Sequence, residues 1–211
     1  MKPTTLLLAS LALAASLTAA PTSFDFKDPK GVNAVQFTLD SLLEPIAGTA
    51  SGVTGTVSFD PAAPDATTGK IVVAAGSLKV ANGTMTEHLL GEGWIDAAGH
   101  PEITFELVKL SNVAGSASGF DTSKSITTAT VTGKFTLKGV TKEITVPVTF
   151  TYLRDALEKR TKPGNKGDLL VVRGEFTILR ADYGIKPGQN EDKVANEIKL
   201  TLAIVGTAPK A

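Results

Sequence analysis

Two histidines, His88 and His100, are the only imidazoles in the chain, and it has no cysteine. They stand twelve residues apart, His88 in a helical stretch and His100 in a turn. That is not the i, i+4 spacing that puts two metal ligands on one helix face. A zinc site made from them with Asp96 or Glu102 is the weaker reading, and exposed or satisfied histidines account for such spacing far more often. Gly115-Ser116-Ala117-Ser118-Gly119 has the outer glycines of a nucleophile elbow, with alanine where the nucleophile would stand. It reads as a flexible turn. No phosphate-binding glycine loop occurs, so the expectation is a protein that is not an enzyme and needs neither metal nor cofactor.

The chemistry that remains is burial. Phe37, Phe59, Phe105, Phe135, Phe150 and Phe176 fall on alternating faces expected to point inward, and Leu89 and Trp94 lie on or beside a short helix. These side chains either fill an ordinary core or line a long pocket for an apolar chain, which gains about 25 cal/mol for each Å² removed from water. His88 has two readings. At a cavity mouth its ring would hydrogen-bond a ligand headgroup; otherwise it packs where the helix meets the sheet. The candidate ligand-binding set is therefore Phe37, Phe59, His88, Leu89, Trp94, Phe105, Phe135, Phe150 and Phe176.

Strands must position these residues, because nearly every segment after residue 30 alternates apolar and polar side chains. Val35, Phe37 and Leu39 share a face, as do Val53, Val57 and Phe59. Glu44 to Gly52, rich in small residues, reads as a connection, and Ile71 to Val80 as one strand. Asp60 to Gly69 is a loop by its prolines. Ile103, Phe105 and Leu107 begin the next strand, and Ser111 to Lys124 reads as a mobile connection. Val131 to Leu137 and Ile144 to Tyr152 alternate most clearly; Pro147, which cannot donate to a ladder, marks an edge or bulge. After a polar excursion, Arg154 to Asp168, with a helical turn near Leu153 to Lys159, come Leu170 to Ile178, a loop from Tyr183 to Lys193, and Ile198 to Ile204.

One stretch breaks the alternation. In Asn82 to Phe105, Thr84 is placed to cap a helix with Glu87 completing a capping box, Met85, His88 and Leu89 share a face, and Gly91 and Gly93 end the turn. The spacing predicts a short helix over about 84–94. About eight antiparallel strands favour closure, which removes exposed sheet edges, so the fold class is all-β, a closed barrel with that helix near one opening. Such a barrel is either filled or holds one small ligand.

The chain has 211 residues, enough for one domain, and no linker or repeat divides it. Lys plus Arg and Asp plus Glu are both 21, so no net charge draws it to nucleic acid. The basic loop Arg154 to Lys166 is diluted by Asp155, Glu158 and Asp168 and lacks aromatic residues for base stacking. A solvated loop is the reading there, with transient contact to anionic lipid headgroups as the second. Lys2, the apolar run Leu6 to Leu17 and the small residues Thr18, Ala19 and Ala20 read as a cleaved secretory signal, leaving 21–211 as a single domain outside the cytoplasm, in the periplasm or beyond. Without cysteine the exported fold must rest on apolar burial.

Three blocks give a resemblance. His88, Leu89, Trp94, Ile95, Asp96, Ala97, Pro101, Ile103, Thr104 and Phe105 are similar to a helical signature of the YceI-like family. Gly133 to Lys142, followed by Val146-Pro147-Val148, resembles its "G-x-L-T-x-x-G-V-T-K" hairpin, and Arg180-Ala181-Asp182-Tyr183-Gly184 its "R-x-D-F-G". Met85 and Thr86 depart from the Arg-Asp pair common there, and the usual His-Ser near the first strand is missing around Val32 to Phe37. The resemblance implies a lipocalin-like barrel whose apolar cavity takes a long isoprenoid chain, carried or stored without catalysis, and a homodimer. The rival is a filled barrel acting as an envelope interaction or stress-related protein. Arg180 and Asp182 are expected to form a structural pair near the rim.

Overall fold

The computed structural model describes residues 21–117 and 123–210. The leader read in Met1 to Ala20 lies outside the described residues, as does the middle of the Gly-Ser-Ala run at 118–122. In chain order the elements are β1 (Thr22–Asp25), β2 (Ala34–Asp40), β3 (Pro45–Ala50), β4 (Val53–Phe59), β5 (Thr68–Ala74), β6 (Leu78–Val80), helix α1 (Gly83–Leu90), β7 (Glu102–Ala117), β8 (Lys124–Leu137), β9 (Val140–Leu153), helix α2 (Leu157–Arg160), β10 (Gly167–Leu179) and β11 (Glu197–Pro209).

Every pairing is antiparallel, and the ring β1-β4-β5-β7-β8-β9-β10-β11 closes back on β1. This is the expected closed barrel of eight strands. The other segments extend it at one end: β2 continues along β11, β3 pairs with β2, and β6 with β3. Thus β1 with β2, β4 with β3, and β5 with β6 are the halves of three bent staves. The bend is pinned where the Ala74 N–H donates to Gly52 O at 2.9 Å and the Gly52 N–H to Ser77 Oγ at 3.0 Å.

Three local expectations change. Ile71 to Val80 is not one strand, because a 3-10 turn at Ala75–Ser77 divides β5 from β6. Glu44 to Gly52 is not a connection but mostly β3, and its small residues make room for a neighbour. A Cβ on Gly48 would lie 2.2 Å from the Phe37 ring and 2.4 Å from the Lys79 carbonyl oxygen. Gly48→Ala is therefore expected to lower stability by about 1–3 kcal/mol, the usual cost of overpacking. Urea unfolding checks this, and an unchanged midpoint would refute the packing account. Ser111 to Lys124 is also largely strand: β7 runs on to Ala117, and bulges after Leu107 and Ser111 absorb the register. Small residues that suggested a loop satisfy their backbone in the ladder with β8 instead.

The end of the barrel away from α1 is filled. Phe24, Phe26, Phe59, Leu170 and Ile204 are buried there, and the Phe59 and Phe150 rings stack at 5.3 Å. The barrel closes here by a single β1–β11 pair, Asp25↔Thr207. Asn33, also buried, supports the closure: its Nδ2 donates to Phe26 O and Val205 O at 3.0 Å, and its Oδ1 accepts from the Val205 N–H at 2.9 Å.

Two buried carboxylates brace the same end. Burial pushes the Asp28 carboxyl up, but N–H donors from Asn33, Lys30 and Val32, with the Arg160 guanidinium at 3.0 Å, outweigh it and hold Asp28 below the usual range. Asp168 is likewise held low: burial is opposed by Lys210 Nζ at 2.7 Å, the Asp155 N–H at 2.8 Å and Tyr152 OH at 2.9 Å. At the other end burial, and then the Asp182 carboxylate, push Tyr183 up to about 12. A carboxylate held low stabilises the fold above its unfolded pKa of about 3.9, and that stability is lost as pH falls through the folded value. A tyrosine held high stabilises it below about 10 and loses that contribution as pH rises toward 12. Unfolding free energy should therefore stay level from about pH 5 to 9.5 and fall on both sides. Asp168→Asn should flatten the acid side; an acid side of unchanged steepness would refute this role.

An apolar cavity under the helix

Helix α1 starts at Asn82, whose side-chain oxygen accepts from the Met85 N–H at 3.0 Å. Thr84 and Glu87 do not form the expected capping box; an asparagine two residues earlier serves as cap. Thr86 Oγ1 accepts from the Val80 N–H at 3.2 Å, fastening the helix to β6. No residue of α1 is buried. Beyond Gly91 the chain folds back: the Ile95 N–H donates to Leu89 O at 3.1 Å and the Ala97 N–H to Leu90 O at 2.9 Å, which brings Trp94 beneath the helix.

Under α1 lies a cavity of about 300 Å³. Its wall is aliphatic and aromatic: Val35, Phe37 and Leu39 from β2, Ile46 and Ala50 from β3, Leu78 and Val80 from β6, and Ile198 and Leu200 from β11. Phe135, Leu137 and Ile178 complete the far wall. Met85, His88, Leu89 and Trp94 roof it, and Glu44, His88 and Arg180 are the ionisable side chains on the lining.

Of the nine candidate ligand residues, Phe37, His88, Leu89, Trp94 and Phe135 come together on this lining. Phe59 and Phe150 lie at the filled end, stacked on each other. Phe176 is half-buried and packs edge-on against Phe135 at 6.1 Å, and the half-buried Phe105 ring covers Gly133. His100 is off the lining, 3.8 Å from Asp96 and against the turn at Gly139. Among the described residues no three His, Cys, Asp or Glu side chains group as a metal site would need.

Arg180 does not make the pair expected of it. It is 1% exposed and makes no pair with Asp182, which instead meets Lys142 at 3.0 Å. All five of its N–H groups donate to backbone carbonyls of one loop. Nε reaches Ala195 O at 3.1 Å, Nη1 reaches Ile185 O at 2.8 Å and also Lys186 O, and Nη2 reaches Val194 O at 3.1 Å and also Gln189 O. Its guanidinium carbon lies 5.8 Å from the Trp94 ring centre, and Lys186 Nζ covers the ring at 4.9 Å. The arginine thus builds the 185–195 loop that forms one side of the mouth. The clue available in sequence was a basic residue at the end of an apolar strand, followed by a loop with no apolar periodicity of its own.

A closed antiparallel barrel, filled at one end and hollow under a helix at the other, defines a β-barrel protein with an internal apolar cavity. The YceI-like domain model matches residues 27–206, and the chain belongs to that family. A UPF0312 protein of Pseudomonas savastanoi pv. phaseolicola is 32% identical over 156 residues, 74% of this chain and 72% of that protein. BcnA of Burkholderia cenocepacia has a similar structure, with TM-score 0.62, 23% identity, and coverage of 82% of this chain and 95% of its own. A polyisoprenoid binding domain from Saccharophagus degradans, implicated in plant cell wall breakdown, matches with TM-score 0.60 and 11% identity over 90% of this chain and 99% of that one.

Proposed function

We propose that this protein binds a long-chain isoprenoid amphiphile, a quinone or a polyprenyl lipid, and carries or stores it outside the cytoplasm without transforming it. The cavity carries this reading: about 300 Å³, walled by apolar side chains, with its few polar groups near the helix end. That volume is at the small end of the range for ligand sites, about 300–1,000 Å³, so it takes one end of such a chain. Helix α1, with no buried residue, is the part of the wall that yields to more. Phe37, Leu89, Trp94 and Phe135 supply the contact surface, and His88 stands where a headgroup oxygen would lie. The Saccharophagus domain, described as polyisoprenoid binding, supports the choice of ligand class through its shared fold. A hollow half-barrel weighs against the rival, a filled envelope protein. Export follows from the leader at Met1 to Ala20, cut after Ala19 or Ala20, and an intact mass of the mature chain tests that. A homodimer is tested by sedimentation.

Native mass spectrometry of protein purified from its own cells is the direct test, with an isoprenoid mass adduct as the expected result. Trp94, the single tryptophan, lines the cavity, so an added quinone should quench its fluorescence. Protein that arrives empty and shows no quenching with quinones of graded tail length would end this reading.

A further inference from the structure

Two adjacent leucines stand exposed at the cavity end of the molecule, whereas Val32, 63% exposed, stands alone at the filled end. Leu42 is 86% exposed and Leu43 59%, at the tip of the turn between β2 and β3. The residues flanking this turn, Leu39, Glu44 and Ile46, line the cavity, so the two leucines project from its rim. Met85 on α1, 36% exposed, belongs to the same lining.

The tip is also held in place. Ser41 Oγ accepts from the Glu44 N–H at 3.2 Å and donates to Lys193 O at 2.6 Å, and the Leu43 N–H donates to Asp192 O at 3.1 Å. The turn is therefore bonded to the loop that Arg180 organises. Two leucines held out in water by their backbone, beside an apolar opening, have no intramolecular reason for their exposure.

We propose that the Leu42–Leu43 tip is a membrane-docking finger that sinks into a lipid bilayer and sets the cavity mouth against its surface. This rests on the ligand reading above, because a guest that water rejects must pass directly between bilayer and cavity. Charge decides which lipid. The tip, residues 40–44, carries Asp40 and Glu44, and the segment 190–193 that it is bonded to carries Glu191 and Asp192 with one base, Lys193, so zwitterionic headgroups suit it and anionic ones do not. The basic loop 154–166 points elsewhere: Arg160 is tied to Asp28 and Asn33 at the filled end, where no guest can leave. Insertion of two leucines without a lipid anchor is weak and reversible, which a carrier needs.

Flotation of the mature chain with phosphatidylcholine vesicles tests the finger. Binding should be insensitive to salt, should fall about tenfold or more in the double variant Leu42→Ser/Leu43→Ser, and should be unchanged in Lys159→Glu/Lys162→Glu. Failure of the wild type to float would overturn the proposal. So would binding that survives the serine pair, or that follows phosphatidylglycerol content and low salt. A dimer in solution that the serine pair dissolves would assign the leucines to a second copy of the chain and overturn it too. Quenching of Trp94 by a short-tailed quinone, without vesicles, keeps the two readings apart, since neither leucine lines the cavity. Quenching without flotation sinks the finger alone; flotation without quenching sinks the carrier and leaves the finger.

Discussion

Arg180→Met is expected to lower unfolding free energy by about 3–5 kcal/mol, the largest loss from any single substitution considered in this fold. The arithmetic follows from orphaned acceptors. Five carbonyls of residues 185–195 lose their donor at once, and each buried, unpaired polar group costs about 1–3 kcal/mol. Relaxation of the loop toward water recovers part of that. Arg180→Lys keeps the charge but offers three donors from one point, so it should restore well under half of the loss. Denaturant unfolding of the two variants settles the matter. Equal stability of Met and Arg proteins would mean that the loop satisfies its carbonyls in another way. Because the loop also carries Val194 into the cavity and holds the Leu43 backbone, the Met variant should bind quinone poorly even where it stays folded.

Ala50→Phe should abolish ligand binding while leaving the barrel intact. Ala50 is buried on the cavity wall between its strand partners Val35 and Leu78, which line the same cavity, and is the smallest side chain of the three. A phenyl ring there occupies space that the proposed ligand would fill. Denying about 100 Å² of ligand surface its burial, at about 25 cal/mol per Å², costs about 2.5 kcal/mol, or a factor of about 70 in Kd. The filled end should keep the far-ultraviolet circular dichroism and the unfolding midpoint near those of the wild type. If the ring does not fit, Val80→Phe, on half-buried β6, places similar bulk in the same cavity. Undiminished quenching of Trp94 in both folded variants would move the ligand out of the barrel.

Much of the architecture could be read from alternation alone. Val131 to Leu137 and Ile144 to Tyr152 pair as β8 and β9 across the two-residue turn Lys138-Gly139, both at positive φ. Pro147, marked as an edge, lies one residue beyond Val148↔Gly174, where β9 and β10 cease to pair. What misled was small residues. Gly48 and the stretch after Ser111 carry too little apolar surface to announce a strand, yet a strand pressed against a phenylalanine needs that smallness. For the cavity, period-two patterning places a side chain inward but says nothing of its height along the barrel axis. Hence Phe59 and Phe150 read like Phe37 and Phe135, although one pair packs the filled end and the other faces the hollow. The role of Arg180, expected as a pair with Asp182, eluded the sequence for a different reason: its partners are carbonyls, which every residue has.

The contrast between a packed base and a hollow top bears on heat. Contacts that resist melting are concentrated among Phe24, Phe59, Phe150 and Leu170, while α1 and the short β6 hang over a void. Local opening is cheapest where fewest side chains interlock. Warming should then loosen the roof before it reaches the base, much as a lid works free of a jar that stays whole. Amide exchange faster in α1 and β6 than in β9 would record this, and a protein loaded with the proposed isoprenoid, gently heated and cooled, should emerge emptied but undamaged.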